Sequence, residues 1–446
     1  MTTQQHYLGI DCGTRGTKAI ILDAASGEVL GHGAASHSLI SGANGRREQD
    51  TDQWLEAFAI ATRRALLAAK VDGQSIQGIG VSGQQHGLVL LDDQGKVLRP
   101  AKLWCDTETT PQNNRLLAHL GGEKASLERL GVVIAPGYTL SKLLWTKEQH
   151  PEVFSRIARI LLPHDFLNHW LTGRSCSEYG DASGTGYFNV RTRQWDLQLL
   201  LDIDPSGRLQ AALPELIDAH QPVGTILPGI AEHLGINPRA RVSSGGWLPL
   251  ICTMNLTNAT GLIRDLLELD IDQFNELVAQ APIGAEGVCM LPFFNGERVP
   301  ALPHASGSLT GLTMTNLTRA NLCRAVVEGT TFGLRYGLDL LRHNGLQSRS
   351  IRLIGGGSKS TVWRQIVADT MNTPVICTEQ SEAAALGAAI QAAWCVSWAN
   401  GHEDSLAHLC ERCVKLDPAS ETLPVADNVQ ACQQAYERYQ QHVATL

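Results

Sequence analysis

Near the N-terminus, two short apolar runs are joined by a loop of small and polar residues. Residues 7–10 read YLGI and residues 19–23 read AIILD, with DCGTRGTK at 11–18 between them. Apolar runs of this length on either side of a glycine-containing loop are typical of β-strands, so we expect the chain to begin with a hairpin. A helix is predicted to start at Thr51, with Asp50 or Thr51 as its cap. Strands and helices alternate after it, which predicts an α/β protein.

The loop between the two runs has the composition of an anion-binding loop. Glycines and hydroxyl residues allow several backbone N–H groups to face one anion. It is not a Walker loop, because no Gly-Lys-Ser/Thr is present and the next element is a strand. Asp11 would repel a phosphate, so a hard cation, most simply Mg²⁺, would have to lie between them. A plain β-turn explains this stretch equally well when it is considered alone.

A second glycine loop, LIGGGSKS at 353–360, follows a predicted strand and precedes a helix that Ser360 can cap. Without side chains at Gly355, Gly356 and Gly357, a flat ring or a ribose can lie against the main chain. A tight turn that needs positive φ is the alternative. Paired with the upstream loop, it suggests that one domain holds phosphates and the other adenosine, with a cleft between.

A polar loop also interrupts two apolar strands in VSGQQHGLVLL. Gln84, Gln85 and His86 offer donors and acceptors that suit a polyhydroxylated ligand. Further on, WCDTET supplies Trp104 as a stacking face and Asp106 as an acceptor. A solvent-exposed hairpin loop is the alternative interpretation.

Length and composition exclude several classes of protein. The 446 residues exceed one ordinary core, so two domains are expected. Hydrophobic residues make up 43% and charged residues 18%, which is typical of a globular protein. The net charge of −8 and the absence of a basic run argue against nucleic-acid binding.

Targeting signals are not evident in this sequence. MTTQQHYLGI lacks the basic region and apolar run of a signal peptide. The uncharged segment between Arg241 and Arg264 is rich in Ser, Gly, Thr and Asn, which makes it a poor membrane span. Eleven cysteines without framework spacing indicate a reduced, cytoplasmic protein.

Taken in order, these motifs resemble the FGGY carbohydrate kinase family, within the actin and heat-shock ATPase superfamily. DCGTRGTK resembles the family's first phosphate hairpin, and GYTLSKLLWTKEQ its N-terminal signature, with Thr146 where an apolar residue is usual. GERVP with GSLTGLT resembles the Gly-Glu-Arg-Thr-Pro segment. GGGSKSTVWRQIVADTMNTPV followed by EQSEAAALGAA is similar to the C-terminal signature and adenosine site. The resemblance spans nearly the whole chain.

This resemblance implies an α/β fold of two actin-like ATPase (ribonuclease H-like) domains with a nucleotide and sugar cleft between them. The N-terminal domain would be 1–238 and the C-terminal domain 239–446. SGQQHGLVLLD and REQDTDQW are most similar to the members that phosphorylate D-xylulose to D-xylulose 5-phosphate with ATP. Glycerol kinases carry an Arg-containing loop here, and gluconate kinases a Met/His-rich one. L-ribulose or a related polyol stays open as the substrate.

The resemblance also implies a set of site residues. Asp11 would position Mg²⁺ through water. Apart from the resemblance, the tyrosine-bearing C-terminal helix and the helices rich in small residues would allow a homodimer. The residues expected to bind ATP are Gly13, Thr14, Arg15, Gly16, Lys18, Gly355, Gly356, Gly357, Ser358 and Lys359. The residues expected to bind the sugar are Gln84, Gln85, His86, Trp104 and Asp106.

The chain departs from the family pattern at one place. The family carries a Gly-Gly-Gly-Asp-Asn segment, whose aspartate is the catalytic base, and a second phosphate loop, Gly-Thr-Ser-Gly. Here RARVSSGG runs from Gly246 directly into WLPLICTMN at Trp247, which resembles family sequence well downstream. The base, the second loop and the strands between them are absent, and 242–263 contains no acid.

Two explanations of this break are open: the natural chain has further residues at this point, or the chain is truly shortened. We expect the first, because a deletion would leave buried strand edges unpaired. The second predicts a catalytically inactive sugar- or nucleotide-binding relative. An actin-like ATPase switch ranks last, since it does not account for the polar loop at 84–86.

Overall fold

The computed structural model describes residues 5–245, 251–294, 296–302, 304–402 and 404–446. Contacts divide the chain into two compact units, and both are discontinuous in sequence. The first unit comprises Met1–Leu248 and Glu382–Val414, and the second comprises Pro249–Ser381 and Lys415–Leu446. A single boundary after residue 238 does not describe this division, because a C-terminal segment returns to the first unit. The expected break between 246 and 247 lies outside the described residues.

The strands and helices below are labelled in chain order. The strands are β1 (His6–Cys12), β2 (Gly16–Asp23), β3 (Glu28–Ser36), β4 (Ile40–Ser41), β5 (Arg47–Gln49), β6 (Ile76–Gly83), β7 (Val89–Leu91), β8 (Ala101–Lys102), β9 (Arg159–Leu161), β10 (Cys176–Glu178), β11 (Phe188–Asn189), β12 (Gln194–Trp195), β13 (Glu215–Ile217), β14 (Pro222–Thr225), β15 (Arg241–Ser243), β16 (Cys289–Leu291), β17 (Ser308–Thr310), β18 (Ile351–Leu353), β19 (Val375–Thr378) and β20 (Leu416–Thr422). The helices are α1 (Thr51–Ala69), α2 (Thr110–Leu120), α3 (Glu123–Leu130), α4 (Thr139–Gln149), α5 (Pro151–Phe154), α6 (Pro163–Thr172), α7 (Tyr179–Ala182), α8 (Leu197–Ile203), α9 (Arg208–Ala211), α10 (Pro228–Leu234), α11 (Thr257–Leu266), α12 (Ile271–Gln280), α13 (Arg319–His343), α14 (Thr361–Met371), α15 (Ala383–Ala399), α16 (Leu406–Cys413) and α17 (Ala426–Val443).

The first unit is built on a six-stranded mixed sheet in the order β14-β15-β6-β1-β2-β3. The predicted hairpin is β1 and β2, which pair antiparallel, and β3 continues the antiparallel run. On the other side of β1, the strands β6 and β15 run parallel to it and to each other, and β14 closes the sheet antiparallel. The α/β class expected from the alternating elements is confirmed.

Helices α1 and α15 cover opposite faces of this sheet. Leu8 of β1 packs with Trp54 of α1, whereas its neighbour Tyr7 packs with Ala385 of α15. Alternate residues of a strand point to opposite faces, so the two helices lie on different sides. The helix α15 lies very close to the strands, as a Cβ on Gly80 would be 1.8 Å from the carbonyl oxygen of Ala388. The small-residue helix therefore packs inside its own unit.

The second unit has smaller sheets within its described residues. Strands β18 and β19 pair parallel, β20 joins β19 antiparallel, and β16 and β17 form a separate pair. Its core joins α11, α12, α13 and α14. In α17, the buried Tyr436 and Tyr439 pack against Phe332. The two tyrosines therefore pack within the second unit, and the homodimer stays a prediction.

Across the described residues, every helix is too short or too polar to cross a lipid bilayer.

Candidate active site

The polar loop between β1 and β2 is a tight hairpin turn. The backbone N–H of Gly13 donates to the carbonyl oxygen of Gly16 at 3.0 Å, so this N–H already has a protein acceptor. A Cβ on Gly16 would lie 2.6 Å from the carbonyl oxygen of Ala35 on β3, which explains why only glycine fits there. The side chain of Arg15 at the tip is exposed.

Two charged residues face each other across the hairpin, since Asp11 on β1 is in register with Lys18 on β2. Burial raises the pKa of Asp11, the charge of Lys18 lowers it, and Glu382 raises it further. The ammonium of Lys18 forms an ion pair with Glu382 at 2.6 Å, and 48% of its side chain remains exposed. The Asp11 carboxylate is therefore a half-buried charge with only partial compensation.

The hydroxyl of Thr14 connects the hairpin tip to two other segments. It donates to Oε1 of Gln84 at 3.2 Å and accepts from Nε1 of Trp104 at 3.1 Å. Both partners come from segments that the sequence assigned to sugar binding. The structure therefore brings the predicted phosphate hairpin and part of the predicted sugar site together within the first unit.

The three residues of the polar loop have different surroundings. Gln84 is 6% exposed and its Nε2 donates to Oε1 of Gln49 at 2.9 Å, so both ends of its amide have protein partners. Gln85 is partly exposed. His86 has a left-handed backbone, with φ of 62°, and its side chain contacts Gly184 and Tyr138.

The imidazole of His86 is held on two sides. Its Nδ1 lies 3.0 Å from the carbonyl oxygen of Gly184, so it carries the proton and donates. The ring stacks on Tyr138 with centroids 4.7 Å apart. The main-chain oxygen of His86 accepts from the ammonium of Lys142 at 2.6 Å. Its orientation and tautomer are therefore fixed before any ligand binds.

The assignment of Asp106 to sugar binding needs correction. Its carboxylate is fully buried, with Oδ2 accepting from the Arg47 N–H and the Lys102 ammonium, each at 2.8 Å. Its Oδ1 accepts from the Glu108 N–H at 3.1 Å. Protein donors surround both oxygens, so Asp106 supports the loop and has no face for a sugar hydroxyl.

Sequence reasoning missed Gln49, the last residue of β5. Its side chain is 1% exposed and contacts the main chain of Thr14 as well as the side chain of Gln84. Gln49 lies in the stretch REQDTDQW, which carries part of the family resemblance but indicates no role for this residue. A glutamine just before a capped helix gives no indication of its distant partners.

Sequence reasoning also missed a buried group at the end of β15. The Nδ1 of His164 lies 3.2 Å from Oδ2 of Asp181, and its Nε2 lies 3.4 Å from the Ser244 hydroxyl. A Cβ on Gly83 would lie 3.2 Å from His164, so the group supports the start of the polar loop. A Cβ on Gly245 would lie 3.6 Å from Oε1 of Glu178.

Charges within this group shift each other. Burial alone would lower the pKa of His164, but the hydrogen bond and charge of Asp181 raise it to about 9. Burial, followed by the charge of Asp181, raises the pKa of Glu178 to about 7. Glu178 and Asp181 are at most 6% exposed as residues, so both charges are buried.

The second glycine loop lies in the second unit and is open. Gly355 has φ of 84°, and a Cβ on Gly355 or Gly356 would meet nothing within 4 Å. The hydroxyl of Ser358 donates to the carbonyl oxygen of Gly355 at 2.7 Å. Ser360 caps α14 through the Trp363 N–H, as the sequence predicts. The exposed main chain, with Lys359 at its end, can receive a flat ligand.

Comparison with known proteins gives this arrangement a family. The N-terminal domain of the FGGY family of carbohydrate kinases matches residues 6–247, and its C-terminal domain matches residues 246–396. A xylulose kinase of Haemophilus influenzae is 45% identical, with 99% of this chain and 100% of that protein covered. One of Streptomyces coelicolor is 35% identical, with 86% and 87% covered. The crystal structure of a xyloylose kinase from Brucella ovis is 25% identical and superposes with a TM-score of 0.86 over 99% of both chains.

The alignment with the Haemophilus influenzae protein also has a length difference. It spans 496 positions against the 446 residues of this chain, so at least 50 positions of that relative have no counterpart here. The two matched family domains nevertheless cover all the site residues described above. The chain therefore belongs to the FGGY family of carbohydrate kinases.

Proposed function

We propose that the protein transfers the γ-phosphoryl group of ATP to a pentulose, most simply D-xylulose, giving D-xylulose 5-phosphate. The observation that carries this is the contact of Thr14 with Gln84 and Trp104, which joins a phosphate-type hairpin to an amide- and imidazole-bearing loop. Both curated relatives described above are named xylulose kinases. A cytoplasmic location fits a kinase of this kind.

Each part of the first unit would have a distinct task. Gln85 and the fixed imidazole of His86 would bind sugar hydroxyls, since amide and imidazole groups offer both donors and acceptors. The hydroxyl of Thr14 and the N–H groups after it would stabilise charge on the transferring phosphoryl group. Arg15 and Lys18 would add positive charge beside the phosphates.

The second glycine loop would hold the adenosine part of ATP. Gly355 and Gly356 leave the main chain uncovered, and the absence of side chains lets a ring approach closely. Gly357, Ser358 and Lys359 would complete this contact. Its proposed role follows from the loop's own geometry and from its match to the C-terminal family domain.

Asp11 has the chemistry expected of a residue that holds Mg²⁺ through water. Its carboxylate is half-buried and its pKa is raised by burial, with Lys18 as a partial counter-charge. A hard cation prefers such an oxygen ligand and would complete the compensation. When bound, Mg²⁺ would offset negative charge on the β- and γ-phosphate oxygens.

No described residue is assigned as the catalytic base. In the family pattern, this base follows a strand that corresponds to β15, which ends at Ser243. The Haemophilus influenzae relative has at least 50 further positions, which are enough to contain this segment. We place the missing base, second phosphate loop and strands between Gly246 and Trp247. The described strands of the second unit form only small sheets, as expected if further strands of this unit belong to the missing segment.

These observations also favour a second candidate, a sugar- and nucleotide-binding protein without turnover. The chain would keep the hairpin, the polar loop and the glycine loop while lacking the group that deprotonates the attacking hydroxyl. The two candidates differ in turnover and agree in binding.

A coupled assay of ADP release with Mg-ATP and a panel of ketoses and polyols distinguishes them, on protein whose intact mass is known. The kinase proposal expects D-xylulose to give the highest kcat/KM. A mass near 48.2 kDa with calorimetric binding and no ADP release would establish the second candidate. Preference for L-ribulose would correct the substrate, and absence of binding to any sugar would refute both.

A further inference from the structure

The amide of Gln49 lies at the centre of a buried hydrogen-bond network. Its Oε1 accepts from Nε1 of Trp54 at 3.0 Å and from Nε2 of Gln84 at 2.9 Å. Its Nε2 donates to the carbonyl oxygens of Thr14 at 2.8 Å and Ser38 at 3.2 Å. The side chain thus contacts the phosphate hairpin (residues 11–18) with its nitrogen and the sugar loop (residues 83–87) with its oxygen.

The orientation of this amide is determined by its partners. The Nε2 of Gln49 also lies 3.0 Å from Nδ1 of His37, and burial lowers the pKa of His37, which favours the neutral ring. Since an amide nitrogen does not accept, Nδ1 of His37 is the acceptor, and the two N–H groups of Gln49 are shared among three acceptors. A rotated amide would place its oxygen against the Thr14 and Ser38 carbonyls and its nitrogen against two donors. Such contacts leave buried polar groups unsatisfied, at a cost of roughly 1–3 kcal/mol each.

The hydroxyl of Thr14 provides the second link between the two segments. It has a single proton, which it donates to Oε1 of Gln84. A phosphate oxygen that accepts this proton withdraws it from Gln84, whose Oε1 then needs another donor. A sugar hydroxyl bound at the sugar loop is such a donor. The phosphate then accepts the Thr14 proton and the sugar donates to Gln84, so both polar groups keep a partner when both ligands are bound.

We propose that Gln49 is a positioning residue that couples sugar binding at residues 83–87 to phosphate binding at residues 11–18. By holding Nε2 of Gln84 and the carbonyl of Thr14 together, it keeps Oε1 of Gln84 directed at the Thr14 hydroxyl. Each ligand then raises the affinity for the other, and by linkage the two factors are equal. This inference rests on the proposed function, since it takes the hairpin as the phosphate contact and the polar loop as the sugar contact.

Calorimetric titration of the full-length protein tests the coupling without requiring turnover. The affinity for a non-hydrolysable Mg-ATP analogue is measured with and without saturating D-xylulose. We expect the wild-type affinity to rise by about fivefold or more with the sugar, within the usual range of coupling. In Gln49→Leu the rise should fall below about twofold.

Gln112→Leu is the matched control, because Gln112 is another buried glutamine of the first unit, with Nε2 donating to Glu148 at 2.8 Å. It should retain the wild-type coupling. Gln49→Glu keeps the acceptor for Trp54 and Gln84 but removes the donor to Thr14, so we expect an intermediate factor. If Gln49→Leu does not fold, as judged by circular dichroism, the coupling factor of Gln49→Glu tests the inference by itself.

Three outcomes would overturn the inference. Gln49→Leu could couple the ligands as strongly as Gln112→Leu does, or Gln49→Glu could match the wild type. The wild-type protein could bind both ligands independently. Failure of the wild-type protein to bind either ligand would refute the proposed function itself, which separates that failure from failure of the coupling.

Discussion

At the scale of single residues, existing hydrogen bonds decide which polar groups can meet a ligand. Asp106 has the side-chain chemistry of a sugar-binding residue, yet protein donors contact both of its oxygens. His86 has its Nδ1 engaged with Gly184 and its ring stacked on Tyr138, which fixes its tautomer. Residue type therefore predicts the chemistry of this region better than it predicts the role of each residue.

Substitution of Asp106 should affect stability and leave sugar affinity unchanged. In Asp106→Ala, the Lys102 ammonium loses one of its buried partners and the Arg47 N–H loses its acceptor. We expect the free energy of unfolding to fall by about 2–4 kcal/mol, measured by urea denaturation. The dissociation constant for D-xylulose should stay within about twofold of the wild-type value. A tenfold weaker sugar affinity at unchanged stability would return Asp106 to the sugar site.

The buried His164 group should make stability depend on pH. Its pKa is raised from 6.5 to about 9 in the folded state, so its contribution is fully present below pH 6.5 and is lost as the pH rises through 9. We expect the free energy of unfolding to fall by about 1–3 kcal/mol between pH 6.5 and 9. Urea denaturation across this range measures the effect.

His164→Asn provides the comparison for that pH profile, because it has no titrating group at this position. Its unfolding free energy should change less between pH 6.5 and 9 than that of the wild type. Glu178, with a folded pKa of about 7 against 4.5, has the same sign over a lower range. A wild-type profile that is flat or rises with pH would contradict the assignment.

At the scale of elements, the contact of α15 with the central sheet depends on glycines in the strands. A Cβ on Gly80 would lie 1.8 Å from the Ala388 carbonyl oxygen, and one on Gly9 would lie 1.9 Å from that of Ala385. Interiors pack at crystal-like density, so helix and strand cannot separate without loss of other contacts. The small residues of α15 and the glycines of β1 and β6 act as a matched set.

Gly80→Ala should therefore destabilise the protein. Because the added methyl group meets backbone atoms of α15, we expect a loss of about 2–4 kcal/mol in unfolding free energy. Gly229→Ala is the control, since a Cβ at this position in α10 would meet nothing within 4 Å. Its stability should be unchanged or slightly higher. Equal melting temperatures for the two variants would show that α15 is not tightly packed.

Several elements could be predicted from the sequence because their signals are local. Asp50 caps α1 at Thr51, and Ser360 caps α14. The contacts of Gln49 with Thr14 and Gln84 were not predictable, because they join segments 35 residues apart through buried side chains.

At the scale of the whole molecule, the discontinuous units decide which parts of the chain can fold independently. The face of the central sheet that includes Tyr7, Ile20 and Leu22 is covered by α15 and α16, which come more than 350 residues later. A fragment of residues 1–248 would expose this apolar face to water. We therefore expect that the family boundaries at 247 and 246 do not mark an independently stable piece.

A pair of fragments tests this point. Residues 1–248 alone should unfold without a cooperative transition, whereas the same fragment joined to residues 382–414 by a flexible linker should show one. Differential scanning calorimetry measures the transition, and binding of a dye to exposed apolar surface reports the uncovered face. A cooperative transition in the shorter fragment would mean that α15 adds little to the first unit.

The return of α15 to the first unit also has a consequence for synthesis on the ribosome. Domains generally fold as units while the chain emerges, but this sheet stays half-covered until residue 414 has been made. For most of translation, its open face is a surface that chaperones can bind and that neighbouring nascent chains can join. We therefore expect the yield of soluble protein to depend on growth temperature and chaperone supply more steeply than the stability of the finished chain would indicate.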